Sequence, residues 1–179
     1  MIVGTYLILL GNERDALCAR AMEALPQLAT IFSTAQSILL SDSQMPVAMM
    51  GEGRGAICGN LHGPDSDALG AQEACRFAFP DWQAVTRDNW GDYVILEARE
   101  DGAAIVARSA MGQLPCYYIG WRGSIILTNA VPVIQALGID LAVDEEAIFR
   151  HLLNINARTA ATCLTGLMEL EPGHCLHYA

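Results

Sequence analysis

The chain opens on a run that is apolar almost throughout, residues 2–10 of "MIVGTYLILLGNERD". Without polar alternation, such a run predicts a buried strand rather than one with a solvated side. A helix follows, capped by Asn12 and reaching Leu25, with Leu17, Cys18, Ala21, Met22 and Leu25 on one face and Pro26 as its stop. Residues 28–40 carry a polar interlude, "STAQS", and then "ILL", which reads as a strand at a sheet edge. "VAMMGEGRGAICGN" predicts strands at 47–50 and 55–58 around a glycine-rich turn at 51–53. "GPDSDALGAQEACRFAF" has helical texture, opened by Asp65 or Asp67 and stopped by Pro80, and "DWQAVTRD" predicts a short helix after it.

The second half is denser in tight turns. "WGDYVILEARE" and "AAIVARS" flank Asp101-Gly102, a hairpin signal. Arg122-Gly123 joins strands at 117–121 and 124–127, after which Thr128 or Asn129 caps a helix to Leu137 that tolerates Pro132 in its first turn. Asp144 caps "EEAIFRHLLN", placing acids at the positive end of the helix. The final "GLMELEPGHCLHYA" reads as a hairpin turned at Pro172-Gly173, a type II pair. Hairpins with helices grouped between them predict one layered α+β domain over residues 1–179, without repeats or linkers.

Composition narrows the function. Lys+Arg 10 against Asp+Glu 20 gives a net charge of −10, which argues against nucleic acid as a partner. Only 17 % of residues are charged and the mean hydropathy is positive, which points to apolar surface covered by another domain or subunit. The opening run is too short to span a bilayer and lacks the basic flank and cleavage site of a signal peptide, so a cytoplasmic protein with no membrane contact is expected. In that setting the six cysteines, Cys18, Cys58, Cys75, Cys116, Cys163 and Cys175, are expected as free, mostly buried thiols. They form no C-x-x-C pair and the histidines are scattered, so no metal site is indicated.

Catalytic motifs are equally sparse. "GEGRGAICG" lacks the Lys-Ser/Thr and the following helix that a phosphate loop needs, and reads as a plain turn. No G-x-S-x-G elbow occurs. Cys58, at a strand end beside Gly59, and Cys116, after Pro115, read as small core residues, since no base or helix start accompanies either.

Taken in order, the pieces from Trp90 to Ala179 resemble the N-terminal glutaminase-type domain of the asparagine synthetase family. The family hairpin R-D-x-x-G-x-x-P-L-Y-Y is similar to Arg108, Ser109, Gly112, Pro115, Cys116, Tyr117 and Tyr118 here, followed by "ILTNAVPVIQAL". Its D-x-x-A-L helix resembles "DEEAI", and its T-x-F-x-G-I-x-x-L-x-P-G segment resembles "TCLTGLMELEPG". Within the family, "LPCYY" and "WGDYV" are most similar to lasso-peptide macrolactam synthetases. The resemblance implies a four-layer αββα sandwich of the N-terminal-nucleophile (Ntn) hydrolase type.

The departures from that family concern its chemistry. An active member begins Met-Cys, and the freed cysteine attacks glutamine with its own α-amine as base. Here Ile2 occupies the nucleophile position, and its bulk is expected to keep Met1 in place. The family's N-G-E strand, for oxyanion and glutamine recognition, resembles Cys58-Gly59-Asn60, which keeps only the glycine. "HGPD" at 62–65 resembles the family's R-G-P-D motif but lies after the glycine strand, so it reads as a turn and cap.

The resemblance therefore implies a glutaminase-inactive scaffold domain without catalytic residues. Its parent would be an ATP-dependent amide ligase whose synthetase domain, with an S-G-G-x-D-S loop for ATP and Mg, should begin where this chain stops. The expected partners are that domain or a separate synthetase subunit, and a precursor peptide. The alternatives are an active glutamine amidotransferase whose start is misassigned, and a stand-alone peptide- or protein-binding module.

Overall fold

The computed structural model describes residues 4–63, 81–154 and 159–179. Ile2, Cys75, Pro80 and the helix expected between Asp65 and Pro80 lie outside them.

The opening strand β1 (Tyr6–Gly11) is buried at every residue. It sits in the middle of an antiparallel six-stranded sheet, between β3 (Ser37–Ser41) and β9 (Ser124–Thr128). Outside these lie β2 (Ala29–Ser33) on one flank and β8 (Tyr117–Trp121) with β10 (Met168–Glu169) on the other. A second antiparallel sheet runs in the order β11 (Cys175–Tyr178), β7 (Ala104–Arg108), β6 (Trp90–Ala98), β5 (Gly55–His62), β4 (Val47–Met49).

Side chains of alternating strand positions separate into three apolar clusters. Tyr6, Ile8 and Leu10 of the first sheet meet Cys58, Val94, Leu96 and Val106 of the second, so the sheets stack through a shared core. Leu7 and Leu9 point the other way, onto Leu17 and Ala21 of α1 (Arg14–Ala24) and Val133 and Ile134 of α3 (Val131–Ala136). On the far side of the second sheet, Ile57, Tyr93 and Ile95 pack with Val85 of α2 (Trp82–Asp88). A strand with apolar neighbours on both faces has no reason to alternate, which explains the unbroken apolar texture from Tyr6 to Leu10. Among the described residues the fold is thus mixed α/β, mostly antiparallel sheet with few helices.

Local signals place several elements where expected. Arg122 and Gly123 both have positive φ (50° and 76°), the backbone a tight β8–β9 turn requires. Asp144 Oδ1 accepts from the Ala147 amide at 2.8 Å and caps α4 (Glu145–Leu153). Asp81 does the same for α2 through the Ala84 amide.

Other expectations are corrected. Asn12 does not cap α1; Glu13 holds that position without a side-chain cap, and Ser124 Oγ accepts from its amide at 2.8 Å. Met22 is half exposed rather than on the buried face. Residues 28–40 form a hairpin whose second strand, β3, is interior to the sheet, between β1 and β2. Residues 168–178 do not form a hairpin, because β10 pairs with β8 and β11 with β7, in different sheets. The bend between them does fall at Pro172-Gly173, with the His174 amide donating to Glu171 O at 3.1 Å. Neither Thr128 nor Asn129 caps α3, whose N-cap is Ala130 without a side-chain hydrogen bond.

Candidate functional site

Cys58, Gly59 and Asn60 lie in the interior of β5, which runs on to His62 instead of ending near Cys58. Gly59 pairs with Tyr93 of β6 and has φ +110°, a conformation open to glycine and strained for other residues. A Cβ there would also overlap the carbonyl oxygen of Asp92. The Gly59 amide donates to Pro46 O at 2.8 Å, so its hydrogen is used inside the protein. Asn60 is exposed.

Cys58 is wholly buried, and burial, reinforced by Cys116, pushes its thiol up to about 12. Cys116 is raised to about 11, mainly by burial. Both are neutral core thiols near pH 7, with Tyr6 beside them donating to Pro115 O at 2.9 Å. Neither has the electropositive, accessible setting of a nucleophilic cysteine. In the unfolded chain both would titrate near their ordinary value of 9.0. Folding is therefore favoured below that value and loses ground as pH rises toward 11 and 12, by up to about 1.4 kcal/mol per pH unit for each thiol. Denaturation at pH 8 and pH 10 measures the fall. A thiol reagent at pH 8 should leave Cys58 and Cys116 unlabelled until denaturant is added; rapid labelling of either in the native protein would contradict the burial. Cys18, Cys163 and Cys175 are partly exposed free thiols.

Arg108 is the other position the sequence singles out, and only 3 % of it is exposed. Its guanidinium is enclosed by acceptors. Nε donates to Leu114 O at 2.9 Å and Nη2 to Gly112 O at 2.7 Å. Nη1 donates to Glu169 Oε1 at 2.7 Å and Leu170 O at 2.5 Å. The loop 109–116 is thus wound around one cation, and β10 is tied to it. Gly112, with φ +69°, turns the loop where a Cβ would strike the Pro172 ring. Pro115 presents its carbonyl to Tyr6. Ser109, in the place of the family's aspartate, is buried and accepts from the Tyr93 amide at 3.3 Å. These residues build the domain; no reacting group stands among them.

Two residues take roles that the sequence did not show. Glu169 completes the Arg108 cage, a pairing across 61 positions that no local pattern announces. Asn129 clamps the lead-in to β1, its Nδ2 donating to Gly4 O at 2.8 Å while its Oδ1 accepts from the Tyr6 amide at 3.0 Å. Gly4 packs against the Met45 backbone, and the next residue, Pro46, takes the Gly59 amide. The segment at 45–46 therefore touches both the start of the chain and the Gly59 strand.

A cleft of ≈ 610 Å³ opens beside the Arg108–Glu169 pair, lined in part by Tyr117, His151, Cys163, Glu171 and His174. Burial, with Glu169 nearby, raises the Tyr117 hydroxyl above its usual range, so that it stays a neutral donor. Among the described residues no group of three or more His, Cys, Asp or Glu could hold a metal ion. No described helix is long and apolar enough to cross a membrane.

No protein-family model matches the chain, and no curated protein does.

Proposed function

We propose that this chain is a glutaminase-inactive scaffold domain, with the four-layer αββα architecture of Ntn hydrolases. Its parent is an ATP-dependent amide-forming enzyme of the asparagine synthetase kind, and the preferred reaction is macrolactam formation on a lasso peptide. The order of helices α1 and α3, two stacked sheets and helix α2 supports the architecture.

The observation that carries the functional reading is the fate of the Gly59 amide. On the alignment with the family's N-G-E strand, this N–H would face a developing oxyanion. Here it is spent on Pro46 O. The aligned amide donor is replaced by Cys58, a buried neutral thiol, and the sequence supplies Ile2 where the nucleophile would stand. An oxyanion hole needs donors free to meet charge as it forms, and a donor already satisfied contributes nothing.

The proposed parent reaction makes this loss tolerable. An Asp or Glu side chain of the precursor peptide is activated with ATP as an acyl phosphate ester, and the peptide's own N-terminal amine attacks that carbonyl and displaces the phosphate leaving group, so ammonia is not required. ATP and Mg belong to the synthetase unit. The glycine-rich stretch at 51–55 leads into β5 and not into a helix, so it offers no helix start to a phosphate. The partners proposed are that synthetase unit, on the same chain or as a separate subunit, and the precursor peptide; a cytoplasmic setting accompanies them.

The test is glutamate release from glutamine by the purified chain, expected at the level of a protein-free blank. An Ile2→Cys variant processed to a free N-terminal cysteine should remain at the blank, because the Gly59 amide is still occupied. Glutamate production by the unmodified chain would end the scaffold reading. So would a synthetase unit that cyclises its peptide equally well without this domain.

A further inference from the structure

The apolar side of α4 faces away from the domain. No residue of α4 belongs to any of the three core clusters, and Ala147 is its one buried position. At about 100° per residue, Phe149, Leu152 and Leu153 fall on the side opposite Ala147. They are 60 %, 73 % and 71 % exposed. Arg150 and His151 line a cavity together with Ala147, and Leu153 reaches its edge, which leaves Phe149 and Leu152 as the fully outward pair. An amphipathic helix normally turns its apolar stripe inward; this one turns Phe149 and Leu152 to solvent.

Charge selects what that face can bind. Glu145 lies between Phe149 and Leu152 on the helical wheel, and Glu146 lies beside Leu153; both are exposed. Asp140 and the exposed Val143 precede them, on a chain of net charge −10. A second copy would bring the same acids against their like, and an acidic lipid surface would be repelled. We propose that the outward face of α4 is a docking surface for a protein partner that offers an apolar groove edged by Lys or Arg. The apolar side chains supply the buried area, and the acids set orientation and exclude acidic competitors. The inference stands on the helix alone; if the proposed function holds, the synthetase unit is the first partner to examine.

The test titrates the full chain with two defined helical peptides that share a leucine stripe, one edged with Lys and one with Glu. The Lys-edged peptide should bind, and the double variant Phe149→Ser/Leu152→Ser should weaken it at least tenfold. Met22→Ser, which removes an exposed apolar side chain from α1, should leave the affinity unchanged. Glu145→Gln/Glu146→Gln should reduce the preference between the peptides. Equal binding of both peptides, or equal loss on Met22→Ser, would overturn the proposal. So would sedimentation showing a dimer that Leu152→Ser dissolves, since the occupant would then be a second copy.

Discussion

Arg108→Met is expected to lower the unfolding free energy by about 3–5 kcal/mol, the range for removing one partner of a buried ion pair. Glu169 is partly exposed and recovers some hydration, so its stranded charge is the smaller part of the loss. The larger part comes from the carbonyls of Gly112, Leu114 and Leu170, which all face the guanidinium. Those of Leu114 and Leu170 would be left inside without a donor, at about 1–3 kcal/mol apiece before relaxation, while the part-buried Gly112 carbonyl can turn to water in the cleft. Lysine cannot substitute, because one ammonium lacks the planar fork that reaches acceptors on three sides. Urea denaturation monitored by tryptophan fluorescence measures the change. A loss below about 1 kcal/mol would mean that the loop 109–116 holds its shape unaided.

Gly59→Ala is expected to cost about 2–5 kcal/mol, combining roughly 1–2 for the positive φ with about 1–3 for the displaced neighbour. The Cβ would overlap the Asp92 carbonyl on the paired strand, which is backbone and cannot swing aside. Relief requires β5 and β6 to separate, which disturbs the Gly59–Pro46 hydrogen bond as well. Thermal unfolding reads the loss, and amide exchange at Gly59 locates it. A variant as stable as the parent, with the Gly59 amide still protected, would show that the backbone there is less constrained than φ +110° indicates.

These two positions show how far a glycine and an arginine can be read in sequence. Both stand out through the family resemblance, yet what they do depends on contacts far along the chain. Gly59 reads as a remnant of an oxyanion strand; that its amide is bonded to Pro46 emerges only once β4 and β5 are paired. Arg108 reads as a hairpin signature, and its cage needs Glu169 from a strand of the other sheet and Leu170 just beyond it. Asn129 reads as a helix cap because it sits just before a helix. Its amide instead has a partner at both ends in the lead-in to β1, 123 and 125 positions away.

By itself the sequence determined the features that are settled within a few residues. These are the Asp144 cap, the short helix in DWQAVTRD, the Arg122-Gly123 and Pro172-Gly173 turns, and the doubly buried texture of the first strand. A cap or turn is decided by whether a nearby side chain or a permissive backbone satisfies groups already at hand. Tertiary structure alone decided which strand meets which. It placed β3 inside its sheet, sent β10 and β11 to different sheets, and turned the apolar side of α4 outward. Strand edges offer the same hydrogen-bonding groups along their length. The choice among them therefore rests on which pairings bury the most apolar surface across the whole chain, a sum that no short stretch contains.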